Sequence, residues 1–147
     1  MKKYKQGIYK PIHPEKCHTK TPIFRSSYEL AFFRWADNHP NVISWSSESV
    51  VIPYLKPTDG KVHKYFVDNT VALKDISGKV HKYLIEIKPA KYLHPPKPSK
   101  RKKPQTLLTE TRTYAVNMAK WDSAKKWAKK KGYKFIILTE KELGIRK

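Results

Sequence analysis

The sequence predicts an α/β sandwich in which a central mixed sheet, an antiparallel meander plus a C-terminal strand, is flanked by helices. Three observations lead to this prediction. An amphipathic helical pattern comes first, β-forming runs separated by turn residues follow it, and a second helical region precedes a final apolar run. At 147 residues the chain is expected to form a single domain, over residues 25–147.

The N-terminal residues 1–24 carry prolines and lysines without a sustained hydrophobic period. They predict a basic, extended arm that becomes ordered on a partner. The first helix is expected from Ser26 to Asp37, where apolar residues recur at helical spacing. Ser26 and Glu29 match a capping box, in which the glutamate side chain reaches back to the start of the helix.

Three runs of β-forming residues are predicted to build the meander, namely Val42–Trp45, Val50–Leu55 and Lys64–Leu73. A turn at residues 57–60 joins the second run to the third. Pro53 has no backbone N–H, so we expect the second run to lie at a sheet edge or a bulge.

The third run is expected to continue into a β-hairpin whose turn contains Gly78, the residue best suited to a left-handed conformation. With Asp75 and Lys79 as the closing pair, Asp68 faces Glu86 directly across the two strands. Opposed side chains of an antiparallel pair lie about 5 Å apart on the same face. The predicted register therefore brings two carboxylates together, and a turn that closes one residue differently would separate them.

Lys88 joins Asp68 and Glu86 on that face, because side chains alternate along a strand. Opposed carboxylates repel each other and favour a bound cation. Mg²⁺ prefers oxygen ligands and keeps waters that can attack a phosphate, and Mn²⁺ is expected to substitute for it. The predicted ligands are Asp68, Glu86 and the Ile87 carbonyl, with Glu29 as a possible addition, while Lys88 would stabilise the anion formed in phosphodiester hydrolysis.

The C-terminal half begins with a basic, proline-rich segment, predicted to be a mobile loop at about residues 89–105. Two helices are expected after it, Gln105–Val116 and Met118–Lys131, with Asn117 as the N-cap of the second. The apolar run Phe135–Leu138 predicts a strand covered on both faces.

The charge balance favours a polyanionic partner, because 32 Lys and Arg residues oppose 12 Asp and Glu residues for a net charge of +20. Double-stranded DNA is the first expectation. No membrane partner is expected, since no apolar run reaches the length of a transmembrane helix. No nucleotide cofactor is expected either, since no glycine-rich phosphate loop occurs.

Two groups of basic residues are the predicted DNA contacts, one in the proline-rich loop and one near the end of the second helical region. Such contacts to phosphates bind DNA with little sequence preference. The predicted residues are Lys97, Lys100, Arg101, Lys102, Lys103, Lys125, Lys126, Lys129 and Lys130.

Several local motifs also resemble a known family. Val67-Asp68 followed by Glu86-Ile87-Lys88, with an upstream helical Glu29, resembles the PD-(D/E)XK restriction-endonuclease-like superfamily. Longer runs are similar to the head-completion nucleases of T-even-type tailed phages and, more loosely, to the catalytic domain of TnsA transposition endonucleases. These runs are RSSYE at 25–29, SWSSESVVIPY at 44–54, KYFVD at 64–68, YLIEIKP at 83–89, VNMAKW at 116–121 and FIILTE at 135–140.

This resemblance implies a restriction-endonuclease-like sandwich and a metal-dependent DNA endonuclease. It implies action on packaged DNA as a filled phage head is completed, beside head and neck proteins of the portal region. The expected place is the cytoplasm of the infected bacterium or the virion. Matched residue by residue, Glu29, Asp68, Glu86 and Lys88 are the implied catalytic residues, and Asn117 is a possible accessory residue.

Simpler readings of the same residues stay open. Asp68, Glu86 and Lys88 would also suit a cross-strand ion pair on a solvated face, and Glu29 would also suit a helix cap alone. Because side chains alternate along a strand, Glu48 could lie on the same face as the cluster. An exposed glutamate at the start of a strand is the favoured reading. Two other functions are a noncatalytic DNA-end-binding protein of virion assembly and a TnsA-like transposition endonuclease.

Overall fold

A computed structural model describes residues 6–145 of the chain, which form two helices, eight strands and two short 3₁₀ turns. The helices are α1 (Ser27–Asn38) and α2 (Pro104–Lys131). The strands are β1 (Gly7–Ile8), β2 (Ile23–Phe24), β3 (Val42–Ser47), β4 (Val51–Leu55), β5 (Val62–Phe66), β6 (Asn69–Lys74), β7 (Val80–Ile87) and β8 (Tyr133–Leu138). The 3₁₀ turns are Pro14–Lys16 and Ala90–Leu93.

The central sheet has four strands in the order β3-β6-β7-β8. The first three are antiparallel neighbours, whereas β8 runs parallel to β7. Parallel neighbours need a long crossover connection, and α2 provides it. The predicted α/β fold with a mixed sheet and flanking helices is therefore confirmed.

The two helices cover opposite faces of this sheet, so the hydrophobic core has two halves. One half contains Phe33 of α1 with Trp45 and Ile85. The other contains Trp121 of α2 with Leu84. Because Leu84 and Ile85 are consecutive and both buried, this end of β7 is enclosed on both faces.

The β6–β7 hairpin has the predicted register. Its strands pair from Lys74 and Val80 at the turn to Asn69 and Ile85 at the far end. Gly78 adopts a φ angle of 90°, the left-handed conformation that closes the turn.

The predicted strand Lys64–Leu73 is wrong as a single strand, because it divides at Val67-Asp68 into β5 and β6. β5 pairs with β4 in a separate two-stranded sheet, whereas β6 pairs with β3, so the predicted meander is also divided. Two hydrogen bonds cross the bend, from Glu48 N–H to the Asp68 carbonyl and from Val67 N–H to the Val50 carbonyl, each 3.0 Å long. Glu48 has a φ angle of 53°, the one positive value of a non-glycine residue among those described, and it marks the bend.

The two predicted helices of the C-terminal half are in fact one helix of 28 residues. Asn117 lies inside it, only 4% exposed, on the stripe that also buries Trp121 and Ala124. Packing of this stripe outweighs the helix propensity cost of asparagine, at most about 0.7 kcal/mol. Gly132 ends the helix with a φ angle of 79°, directly after the predicted last residue Lys131. Within residues 6–145, neither helix is long and apolar enough to cross a membrane.

The N-terminal segment differs from the predicted extended arm 1–24, of which residues 1–5 lie outside the described part. Tyr9, Cys17 and Phe24 of this segment pack on the domain, and β1 pairs with β2. The Tyr9 ring lies 5.7 Å from the Phe33 ring and 6.1 Å from the Trp45 ring. The segment therefore completes the α1 side of the core.

Asp37 fastens this segment to the end of α1. Its fully buried carboxylate accepts hydrogen bonds from the Tyr9 hydroxyl (2.6 Å), Ile12 N–H (2.7 Å) and His13 N–H (2.9 Å). Burial acts to raise the pKa of Asp37, but these hydrogen bonds hold it below its ordinary value.

Replacing Asp37 with asparagine should destabilise the fold by about 1–3 kcal/mol, since an amide places a donor against donors. A depressed carboxyl pKa contributes stability above the ordinary pKa of aspartate, about 4, and that contribution disappears as the pH falls through the folded value. Urea unfolding of Asp37→Asn should therefore differ from wild type most at pH 7 and progressively less on acidification. Asp122→Asn, at an exposed position of α2, is the matched control and should change little. Equal stability of both variants would contradict this role.

Candidate active site

A pair of carboxylates lies where the β6–β7 hairpin meets the bend. Asp68 immediately precedes β6, and the register of the hairpin sets it opposite Glu86 of β7. Asp68 Oδ2 accepts a hydrogen bond from Ile87 N–H at 2.7 Å. Glu86 Oε1 accepts one from the Tyr65 hydroxyl at 2.6 Å. Each carboxylate is thus held in place by a neighbouring strand.

Electrostatic repulsion within this pair is strengthened because Glu86 is buried and Asp68 is only partly exposed to water. Glu86 is only 6% exposed, which does not suit the simpler reading of a solvated face. Burial and the negative charge of Glu86 raise the pKa of Asp68 well above its ordinary value. The pair consequently favours a proton or a cation between its oxygens.

Lys88 follows β7 and is held by the opposite edge of the sheet. Its N–H donates to the Leu138 carbonyl of β8 at 3.0 Å, and its ammonium lies 5.7 Å from the centre of the Tyr92 ring. The buried carboxylate of Glu140 accepts a hydrogen bond from Ala90 N–H at 2.8 Å. The end of β8 and the residues that follow it therefore position the chain on both sides of Pro89.

Glu29 reaches the same cavity from the first turn of α1. Its backbone N–H donates to the Ser26 hydroxyl at 3.2 Å, which confirms the N-cap half of the predicted capping box. Burial, together with repulsion from Glu48, raises the pKa of the Glu29 carboxyl. The cavity measures about 290 Å³, and its lining residues are Ser26, Tyr28, Glu29, Asp68, Glu86, Ile87, Lys88 and Pro89.

The structure separates the two predicted accessory residues from this cavity. Glu48 is exposed and pairs with Arg25 (Nε to Oε1, 3.1 Å), in agreement with the favoured reading of an exposed glutamate. Asn117 lines a second cavity, between α2 and the proline-rich loop.

The donor set suits a hard cation held by two carboxylates. Among residues 6–145, no three His, Cys, Asp or Glu side chains are grouped closely enough to hold a metal ion. Glu29 thus lines the cavity without forming a three-carboxylate centre with Asp68 and Glu86. Mg²⁺ commonly binds one or two carboxylates and keeps several waters, so this buried pair with the Ile87 carbonyl fits it.

The predicted DNA-contacting residues form two groups at opposite ends of α2. Lys97, Lys100 and Arg101 are exposed in the loop before the helix, as is Lys103. The residues of the other group, Lys125, Lys126, Lys129 and Lys130, are exposed near its end. From Lys103 to Lys126 the helix rises about 35 Å, close to one turn of B-DNA. Lys102 is instead engaged within the protein, bonding the Lys97 carbonyl (2.6 Å) and the Glu110 carboxylate (2.8 Å).

Lys120 of α2 lies beside the candidate site, although it was not among the residues predicted from the sequence. Its ammonium lies 5.8 Å from the Tyr54 ring centre and 5.7 Å from that of Tyr65, the residue that bonds Glu86. Burial lowers the pKa of Lys120, and the charge of Lys88 lowers it further. A second cation is thus fixed beside the carboxylates. Its place next to Trp121, on the buried stripe of α2, was the available signal in the sequence.

The fold and the site together define an endonuclease class. The family described as TnsA-like endonuclease N terminal matches residues 39–140. The match spans more than half of the chain, and the chain belongs to this family. It includes Asp68, Glu86 and Lys88, whereas Glu29 of α1 precedes it.

A particular relative is the head completion nuclease of Enterobacteria phage T4. It is 42% identical to this chain over 136 residues, which cover 90% of this chain and 88% of the relative. The resemblance to head-completion nucleases and to TnsA-like endonucleases is therefore confirmed over most of the chain.

The raised pKa of Asp68 means that its charge opposes folding at neutral pH. A carboxyl group whose pKa is higher in the folded state destabilises that state once the pH exceeds the ordinary value of about 4. Asp68→Asn keeps an oxygen for Ile87 N–H but has no charge. In urea unfolding at pH 7 with EDTA, we expect this variant to be more stable than wild type, with no difference below about pH 4. Lower stability of the variant at pH 7 would contradict a repelling pair.

Removal of the Lys120 charge should impair cleavage of DNA, because the ammonium is fixed where negative charge collects. Lys120→Gln is expected to slow plasmid nicking about 100-fold, the usual effect of losing one preorganised donor. Lys134→Gln, at an exposed position of β8, is the matched control and should retain full activity. Rates are to be compared after circular dichroism has established that both variants fold. Equal rates for the two variants would exclude Lys120 from the site.

Proposed function

We propose that this protein is a Mg²⁺-dependent DNA endonuclease of the PD-(D/E)XK type that acts in completing phage heads after DNA packaging. The observation that supports this most is one cavity lined by Glu29, Asp68, Glu86 and Lys88. Similarity to a nuclease named for head completion supports the biological role. Double-stranded DNA is the proposed substrate, and portal-region proteins of the head and neck are the proposed partners, in the infected bacterium or in the virion.

The proposed chemistry divides the work among few side chains. Asp68 and Glu86, with the Ile87 carbonyl, would hold Mg²⁺ or Mn²⁺. Such an ion, when bound, polarises the phosphate and lowers the pKa of a ligand water. Lys88 orients the attacking water and stabilises the negative charge that develops on the phosphoryl oxygens.

Neighbouring residues keep these groups in position during the reaction. The Tyr65 hydroxyl and Ile87 N–H orient the two carboxylates, since each donates to one of them. Lys120 adds positive charge from the α2 side. Glu29 closes the opposite wall, where its carboxylate can accept a proton or a water hydrogen bond.

DNA binding is assigned to the basic residues at the two ends of α2. The candidate active site lies near Lys120, between the loop group and the helix-end group. A duplex that contacts both groups would pass over the catalytic cavity for about one helical turn. Contacts of this kind neutralise phosphates, so binding should weaken steeply with salt.

A noncatalytic DNA-end-binding protein of virion assembly is the second candidate function. The exposed basic residues at the two ends of α2 would serve DNA binding without cleavage equally well. A transposition endonuclease is a further possibility that the family match supports, but the similarity to the phage nuclease extends over more of the chain.

Incubation of plasmid DNA with the purified protein and Mg²⁺ tests the proposal. Wild type should nick or linearise the plasmid, Mn²⁺ should replace Mg²⁺, and EDTA should stop cleavage. Asp68→Asn and Lys88→Ala should each lose at least about 100-fold in rate. Lys79→Ala, at the distant turn of the same hairpin, is the control and should cut normally.

Two results would count against this proposal in different ways. Undiminished cleavage by both site variants would place the active site elsewhere. Absence of cleavage with any divalent metal, together with intact DNA binding, would favour the noncatalytic function.

A further inference from the structure

A second cavity, of about 460 Å³, lies beside the candidate active site and has no part in the chemistry above. The proline-rich loop forms one wall, and the N-terminal half of α2 forms the other. The residues that matter for the inference are Tyr92, His94 and Lys97 on the loop, and Glu110, Tyr114 and Asn117 on the helix. A space of this size accommodates a small molecule or one nucleotide, whereas a duplex is far too wide.

The cavity contains an amide whose hydrogen-bonding capacity is not used. Asn117 is 4% exposed, and its Nδ2 is buried without a hydrogen-bond partner among the described residues. A buried donor of this kind is costly and is normally satisfied. Asparagine and glutamine amides are also the neutral side chains that pair with the edges of bases. The unused amide therefore suits a ligand with the donors and acceptors of a base.

Aromatic side chains of the same cavity supply stacking surfaces. Tyr92 is 39% exposed, and Tyr114 is partly exposed on the helix wall. Tyrosine rings stack on bases with little dependence on sequence. Tyr92 also connects the two cavities, because its ring lies 5.7 Å from the ammonium of Lys88 in the catalytic cavity.

The loop that forms the outer wall is tied to α2 and carries positive charge. Lys102 joins the Lys97 carbonyl to Glu110 of the helix, at 2.6 and 2.8 Å. Lys91 and Lys97 leave positive charge at the cavity, where a sugar-phosphate backbone would enter. Amide, aromatic rings and lysines together match a nucleotide better than they match a bare phosphate.

We propose that this second cavity binds one unpaired nucleotide adjacent to the scissile phosphate, so that the preferred substrates are DNA ends or junctions with unpaired nucleotides. The inference rests on the proposed nuclease function, because the position of the scissile phosphate in the catalytic cavity determines the direction in which the DNA strand enters the second cavity. The nucleotide would leave the stack, place its base between Tyr92 and Tyr114 near Asn117, and present its phosphate towards Lys88.

Binding to matched DNA probes tests this inference without cleavage. Blunt duplexes and duplexes of the same sequence with a three-nucleotide overhang, of either polarity and carrying 2-aminopurine in the overhang, are titrated with wild-type protein in EDTA. Wild type should bind one overhang polarity at least about 10-fold more tightly than the blunt duplex, because stacking is gained. The fluorescence of 2-aminopurine should change on binding.

Variants of the cavity should remove this preference without removing duplex binding. Asn117→Leu and Tyr114→Ala are each expected to reduce the preference to about 2-fold or less while affinity for the blunt duplex stays within about 2-fold. Leu108→Ala, on an exposed part of the same helix outside the cavity, is the control and should keep the full preference. Thermal unfolding establishes that all three variants are folded.

Several outcomes would overturn the inference. These are equal affinity of wild type for both kinds of DNA, a preference that survives both cavity variants, and competition by inorganic phosphate as effective as that by a deoxynucleoside monophosphate. Each is compatible with plasmid cleavage, so the nuclease proposal would stand. Conversely, an overhang preference in a protein that does not cleave plasmid DNA would support nucleotide binding in the second cavity and contradict the nuclease proposal.

Discussion

Electrostatic repulsion between a buried and a partly buried carboxylate, Glu86 and Asp68, is the constraint around which the rest of this protein is organised. Asp68 and Glu86 face each other across a hairpin whose register is set at a distant turn. Neither side chain can turn away easily, because Ile87 N–H holds one and the Tyr65 hydroxyl holds the other. The fold must therefore supply enough packing energy elsewhere to keep an unfavourable pair in place.

The packing that supplies this energy lies on both faces of the sheet. Helix α1 brings Phe33 to one face, and α2 brings Trp121 to the other, so the end of β7 is enclosed. The same two helices carry Glu29 and Lys120 to the carboxylates. Structural support and functional groups thus come from the same elements, and the parallel strand β8 fixes the position of Lys88 from the third side.

The features that were predicted best from the sequence are those that depend on residues close together in the chain. A glycine in a short turn and alternation along two strands were enough to predict the hairpin register, and a serine cap predicted the start of α1. The bend at Val67-Asp68 was not predictable in this way, since it arises because β5 pairs with β4 whereas β6 pairs with the more distant β3. The prediction that Asn117 caps a second helix was wrong for a similar reason, because its burial in the tertiary structure outweighed its local preference for a cap position.

The candidate site shows the same division between local and distant causes. Asp68, Glu86 and Lys88 were recognisable because they lie on one hairpin and match a short motif. Tyr65, Lys120 and Glu140 were not, since each reaches the site only through the packing of another element. The contacts of the N-terminal segment with Asp37 and Trp45 were not predictable either, because they join residues far apart in the chain and follow no local hydrophobic period.

The continuity of α2 has a consequence for how this protein can change in evolution. A helix keeps a fixed angular relation of about 100° per residue, so Asn117, Lys120 and the basic residues at its end are locked in phase over their whole separation. Insertion or deletion of one residue within the helix would rotate the groups on one side of the change by about 100° relative to the groups on the other side. Loops tolerate changes of length far better. We therefore expect relatives to diversify their DNA substrates through the length and composition of the proline-rich loop, while the length of the helix stays constant.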